Sequence, residues 1–144
     1  MIQEVEKKLK RISIRGRMAL GIKCLELLLA NSGKTNKAGV KKLLSSLWKF
    51  TDSSELDQWE IEILEFDPER LVDSFKHDQF QDFKILTKGE VKSLYGLYQD
   101  SRSELVNMIS FVIEIGRANL YGGTGEFSAH SLNPTIEVLK TMRS

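Results

Sequence analysis

The sequence predicts an all-α protein: a single compact bundle of about six to eight helices around a buried central helix near residues 101–121, with residues 1–144 forming one domain. Three observations predict it. Apolar residues recur every three or four positions in most segments, the spacing that gathers side chains on one helix face. Helix-start chemistry precedes several of those segments: Asp67 before Pro68, Thr87 with Glu90, and Ser101 with Glu104. Finally, the stretch from Ser101 to Tyr121 carries Leu105, Met108, Ile109, Val112, Ile115 and Gly116 at helical spacing, with Val106, Phe111, Ile113 and Leu120 on its other faces. A helix that is apolar nearly all round is buried by neighbours on several sides. Gly116 lets one of them come close, and Gly122, Gly123 and Gly125 supply the stop.

From the N-terminus, Ile2, Val5, Leu9 and Ile12 make one apolar line, with Lys7, Lys8, Lys10 and Arg11 on the wet face and a break expected at Gly16. Met18, Ile22, Leu25 and Leu29 make a second line, broadened by Leu20, Leu27 and Leu28 and closed by Asn31-Ser32-Gly33. Thr35-Asn36 can cap a third helix with Val40, Leu43, Leu44 and Leu47 inward and Trp48 and Phe50 at its end. The stretch from Thr51 to Asp57 is rich in capping residues and should start a fourth, with Leu56, Trp59, Ile63 and Phe66 on one face. Residues 59–63 also alternate as a strand would, so either type is open there. Leu71, Val72 and Phe75 follow the Asp67-Pro68 start, Phe80 and Phe83 should tuck a connector onto the core, and Val91, Leu94, Tyr95 and Tyr98 line the next helix. After the central helix comes a glycine-rich stretch over 122–131, and Asn133-Pro134 should begin a last helix with Ile136 and Leu139.

Composition narrows function mainly by exclusion. The net charge of +1 implies neither nucleic acid nor membrane, and no apolar run approaches the roughly 18 residues of a membrane span. The charged N-terminal pattern argues against a signal peptide. One cysteine, Cys24, allows no internal disulfide, and its apolar setting reads as a small buried hydrophobe in a reducing, cytoplasmic compartment. His77 and His130 stand in separate segments away from Cys24, so no metal-ligand spacing emerges. Gly33-Lys34-Thr35 lacks the earlier glycine and the preceding strand of a phosphate loop. Glu114, alone in the central apolar helix, should reach the surface or pair with Arg117 three residues on. No catalytic residue, metal or cofactor is expected.

The neutral total hides an asymmetry. Residues 1–50 carry 12 Lys or Arg against Glu4, Glu6 and Glu26, whereas residues 51–75 carry nine acids against Arg70 alone. Either the acids offset the basic helices within the fold, or they form a surface for a basic partner. In a helix, Ile61 and Leu64 point away from the Trp59 stripe, toward a second internal helix or into an exposed patch ringed with acids.

Three segments carry a resemblance: Arg17-Met-Ala-Leu-Gly-Ile-Lys-Cys-Leu-Glu-Leu-Leu, Val40-Lys-Lys-Leu-Leu-Ser-Ser-Leu-Trp, and Leu94-Tyr-Gly-Leu-Tyr before a long apolar helix. Over roughly residues 17–120 this layout resembles small all-helical bacterial proteins found among the immunity proteins of contact-dependent growth inhibition and other polymorphic toxin systems. The resemblance implies a fold and a role, the cytoplasmic neutralisation of a cognate toxin domain, and transfers no catalytic residue. The expected contact surface is Asp52, Glu55, Asp57, Glu60, Ile61, Glu62, Leu64 and Glu65, since toxins that cut nucleic acids carry basic clefts that an acidic surface fits. The partner is then a protein, neither nucleic acid nor membrane. A nucleic-acid-associated helical protein using the basic N-terminal segment is the alternative, with the 121–131 glycine loop as a second contact candidate.

Overall fold

A computed structural model describes residues 2–100, 103–122 and 129–143. Eight α-helices account for most of them: α1 Ile2–Leu9, α2 Ile14–Asn31, α3 Val40–Asp52, α4 Leu56–Ile63, α5 Pro68–Lys76, α6 Lys88–Asp100, α7 Ser103–Gly122 and α8 Ala129–Arg143. Single 3₁₀ turns at Leu64–Phe66 and Phe80–Asp82 complete the order, and there is no strand among the described residues. The alternation over 59–63 is therefore helical: Trp59 and Ile63, four apart, share the inward face, while Ile61 turns outward.

The α7 helix is the core of the bundle, packing against α2, α4, α5 and α8. Met108, Ile109, Val112 and Ile115 are fully buried on it. Glu104 and Glu114 are exposed on it, and Glu114 reaches the surface to pair with Arg117 at 3.6 Å. At Gly116 a Cβ would overlap the Trp59 ring, so the absent side chain is what lets α4 lay its indole on α7.

Helix boundaries depart from expectation where a cap or proline was misplaced. The break after α1 falls at residues 10–13, ahead of Gly16, because the Ser13 hydroxyl accepts the Gly16 amide at 3.2 Å and starts α2 there. On α1, Leu9 is buried but Val5 stays 39% exposed. The α2 helix does end at the expected place, with the Lys34 amide bonded to the Leu29 carbonyl. Thr35-Asn36 caps nothing. The chain enters α3 through Gly39 at φ 90°, and a Cβ there would press into Leu94. Thr51 and Asp52 belong to the last turn of α3, and α4 begins only at Leu56. The α8 helix starts at Ala129 and carries Pro134 inside it, in its second turn, where the ring forgoes one intrahelical amide bond.

Other expectations hold. The Asp67 carboxylate accepts the Arg70 amide with Pro68 opening α5, and Thr87 and Glu90 bond reciprocally at the start of α6. Phe80 and Phe83 cover the core, Phe80 edge-on to Phe75. Cys24 is half-buried against the core, and burial pushes its thiol pKa up. Ser101 and residues 123–128 of the glycine-rich stretch lie outside the described residues.

Arg17 is a feature that the periodic reading passed over. It is fully buried on the inward stripe of α2, its Nε donating to the Leu9 carbonyl at 3.1 Å and a terminal nitrogen to the Ser131 hydroxyl at 2.7 Å. One guanidinium thus joins the end of α1 to α8, and burial lowers its pKa.

Candidate functional site

The acidic stretch sits on α4 and the turn after it, and what holds α4 determines which of its residues face outward. Trp59 is buried on the core side. Its indole N–H donates to the Ser46 carbonyl at 2.7 Å, and its ring meets Phe50 at 4.8 Å between centroids. Ile63, fully buried one turn later, fixes the other end, and the Ser53 hydroxyl accepts the Glu55 amide at the entry. A helix pinned along one face presents the opposite face rigidly.

That outer face divides into two stripes. Asp57, Glu60, Ile61 and Leu64 share one, at spacings of three and four. Ile61 stands 66% exposed in its middle, Asp57 is exposed, and Leu64 is half-buried. Glu60 is tied to α7: Arg117 Nε lies 3.4 Å from its carboxylate, and Arg117 also faces Glu114. Glu55, Gln58 and Glu62 form the second stripe, with Gln58 donating to Glu62 at 3.3 Å. They border a shallow groove of about 210 Å³ shared with Lys49, Ser53 and the edge of Trp59. Asp52 is exposed at the end of α3, apart from both stripes.

Glu65 is not part of this surface. Only 8% exposed, its carboxylate accepts the backbone amides of Lys84, Ile85 and Leu86 at 2.9–3.1 Å. It holds the segment entering α6 against the turn after α4. The carboxylate turns inward because the chain shifts from α-helix to a 3₁₀ turn at Leu64, which swings residue 65 off the outer stripe. Periodicity extended through residue 65 cannot reveal that shift.

Of the eight contact candidates, the fold therefore gathers Asp57, Glu60, Ile61 and Leu64, sets Glu55 and Glu62 on the adjoining stripe, leaves Asp52 at the margin and withdraws Glu65. Three cations that sequence reading did not single out are structural. Arg15 donates to the carbonyls of Phe50, Thr51 and Ser53, closing the end of α3. Lys42 reaches the Ile85 carbonyl and Glu90, whose carboxyl it holds below the usual range together with the Thr87 amide. Arg17 is the third. A signal existed for it, since position 17 falls between Ile14 and Gly21 on the buried stripe of α2.

Among the described residues no group of three or more His, Cys, Asp or Glu side chains is placed to hold a metal ion, and no helix is long and apolar enough to cross a membrane. The chain matches no protein-family model, and neither curated proteins nor solved structures give a significant match.

Proposed function

We propose that this chain is an immunity-type binding protein, which neutralises a cognate toxin domain by covering it and performs no catalysis of its own. The observation that carries the reading is Ile61: a large aliphatic side chain 66% exposed on a helix locked from behind by Trp59, with Asp57 and Glu60 on its own stripe. Exposed carboxylates speed encounter with a basic cleft, while the aliphatic anchor supplies energy once water is excluded. Burying an isoleucine side chain is worth about 1.5–3 kcal/mol. The segment resemblance gives the partner its class.

The test is capture of the toxin domain encoded beside this chain's gene. Immobilised wild-type protein should retain it at about 10 μM, and Ile61→Asp, folded as judged by thermal melt, should not. Failure of the wild type to retain it counts against the proposal.

A second reading rests on a specific arrangement. Lys41, Ser45 and Lys49 are exposed along one face of α3, and Trp48 lies half-buried beside them with Lys23 Nζ 5.5 Å from its ring centroid. Glu26 sits against both, accepting the Trp48 indole N–H and pairing with Lys23, and exposed Lys7, Lys8, Lys10 and Arg11 on α1 and just after it supply further cations suited to phosphates. Fluorescence anisotropy with single-stranded RNA at low salt decides it, and no binding there discards it.

A further inference from the structure

A groove lies between α5, α6 and α7. It has a volume of about 430 Å³ and is lined by Pro68, Glu69, Val72, Asp73, Lys76, Tyr98, Gln99, Val106 and Ser110. Its apolar part is Val72 and Val106, both half-buried and packed on the core, with the Tyr98 ring, whose hydroxyl is spent on the Phe66 carbonyl at 2.7 Å. Exposed Glu69 and Asp73 stand on its α5 rim, one turn apart, with Lys76 at the far end of the same stripe. Glu69, Lys76, Gln99 and Ser110 make no side-chain hydrogen bond or ion pair to other described residues. Asp73 faces His77 at 3.4 Å, an exposed contact that leaves its carboxylate open to a second cation. An apolar floor ringed by polar groups, most of them without a partner among the described residues, is the usual composition of a binding site, and sites that take small ligands run from roughly 300 to 1,000 Å³.

The groove and the Glu60–Arg117 pair beside Ile61 lie along one stripe of α7. Val106, Ser110, Glu114 and Arg117 follow at spacings of three and four; the first two line the groove, and Arg117 pairs with both Glu114 and Glu60 of α4. From Val106 to Arg117 the helix rises about 16 Å. A standard interface of about 800 Å² per partner covers that span in one patch.

We infer that this groove is a second anchor point of the same interface, and that it receives an aliphatic side chain of the partner flanked by a lysine or arginine. The aliphatic group meets Val72, Val106 and the Tyr98 ring, and the cation meets Glu69 and Asp73. This rests on the proposed function for its biological meaning, but its chemistry can be tested without the toxin. The probe is the peptide acetyl-Gly-Arg-Leu-Lys-Gly-amide, titrated into the isotope-labelled protein and followed by amide chemical shifts. Saturable shifts at Val72, Asp73, Val106 and Ser110 are expected with a dissociation constant of about 1 mM. The acidic counterpart acetyl-Gly-Glu-Leu-Glu-Gly-amide should bind at least tenfold more weakly. Glu69→Lys with Asp73→Lys should abolish the shifts, and the milder Glu69→Gln with Asp73→Asn should weaken binding severalfold if the reversal disturbs folding. Ile61→Asp should leave peptide binding unchanged while abolishing toxin capture. No saturable shift up to about 5 mM, equal binding of both peptides, or shifts confined to α4 overturns the inference. Toxin capture that depends on Ile61 but is unaffected by the groove variants would leave the proposed function standing without this anchor.

Discussion

Replacing Glu65 separates an architectural carboxylate from a contact residue. Its two oxygens take three backbone amides, those of Lys84, Ile85 and Leu86, none longer than 3.1 Å. In Glu65→Gln, shape is kept, but one oxygen becomes an amide nitrogen that faces donors. At least one amide then loses its partner, and the remaining bonds lose their charge assistance. Hydrogen bonds to charged groups are worth about 1.5–3 kcal/mol each and a stranded buried donor costs about 1–3 kcal/mol, so Glu65→Gln should cost about 2–3 kcal/mol. Glu65→Ala strands all three amides, although water can reach those of Lys84 and Ile85, and should cost about 3–5 kcal/mol. For a chain of this length about 4 °C of Tm accompanies each kcal/mol, giving drops of about 8–12 °C and 12–20 °C. The assay is a thermal melt followed by circular dichroism, paired with hydrogen exchange at residues 84–86. Those amides should lose protection first, while α7 stays protected to the global transition. A Glu65→Gln melt within about 2 °C of wild type, with residues 84–86 still protected, would refute the clamp. If the variant remains folded, its toxin affinity should match wild type, since residue 65 does not reach the surface.

Arg17→Ala should cost about 3–5 kcal/mol, because the buried guanidinium's partners on α1 and α8 are left unsatisfied, and hydrogen exchange should show those two helices opening first; a loss under about 1 kcal/mol would contradict its role as their joint. Gly116→Ala should cost about 1–3 kcal/mol, since the new methyl overlaps the Trp59 ring, and tryptophan emission should shift to the red as the indole is displaced; unchanged emission and melting would show that α4 does not lie on α7 there. Glu90 has a folded pKa below its unfolded value, through Lys42 and the Thr87 amide. Its contribution is therefore complete above the unfolded value of about 4.3 and is lost as pH falls through the lower folded one. Melts of wild type and Glu90→Gln should differ most at neutral pH and converge in acid; a gap that stays constant with pH would refute this coupling.

Local periodicity and caps made most of the fold legible. Thr87 with Glu90, and Asp67 ahead of Pro68, act through side-chain bonds to amides three residues away, so their chemistry is complete within a short window of sequence. The all-round apolar character of residues 105–116 likewise foretold which helix lies in the middle. Errors arose where a distant residue decides. Position 39 starts α3 because its positive φ and its contact with Leu94 both favour glycine, neither of which shows in the Thr35-Asn36 signature. Pro134 resembles a helix start, yet the preceding turn is helical as well. At the candidate site, Ile61 and Asp57 could be placed outward from spacing alone. Glu65 could not, because its partners are 19 to 21 residues away and only the 3₁₀ turn brings them within reach. The charge asymmetry also resolves only in part: Glu60 offsets Arg117 on α7, while Asp57 and Glu55 remain exposed.

The proposed role of the α4 surface is tested most directly by the kinetics of toxin binding across three proteins: wild type, Asp57→Lys with Glu62→Lys, and Ile61→Asp. Steering charges and a buried anchor act on different rate constants. The charge reversal should lower the association rate about tenfold or more and flatten its dependence on salt, with dissociation little changed. Ile61→Asp should instead raise the dissociation rate at least tenfold, with a smaller effect on association. Rate constants for both variants that match wild type would contradict the account and place the partner on another face of the bundle.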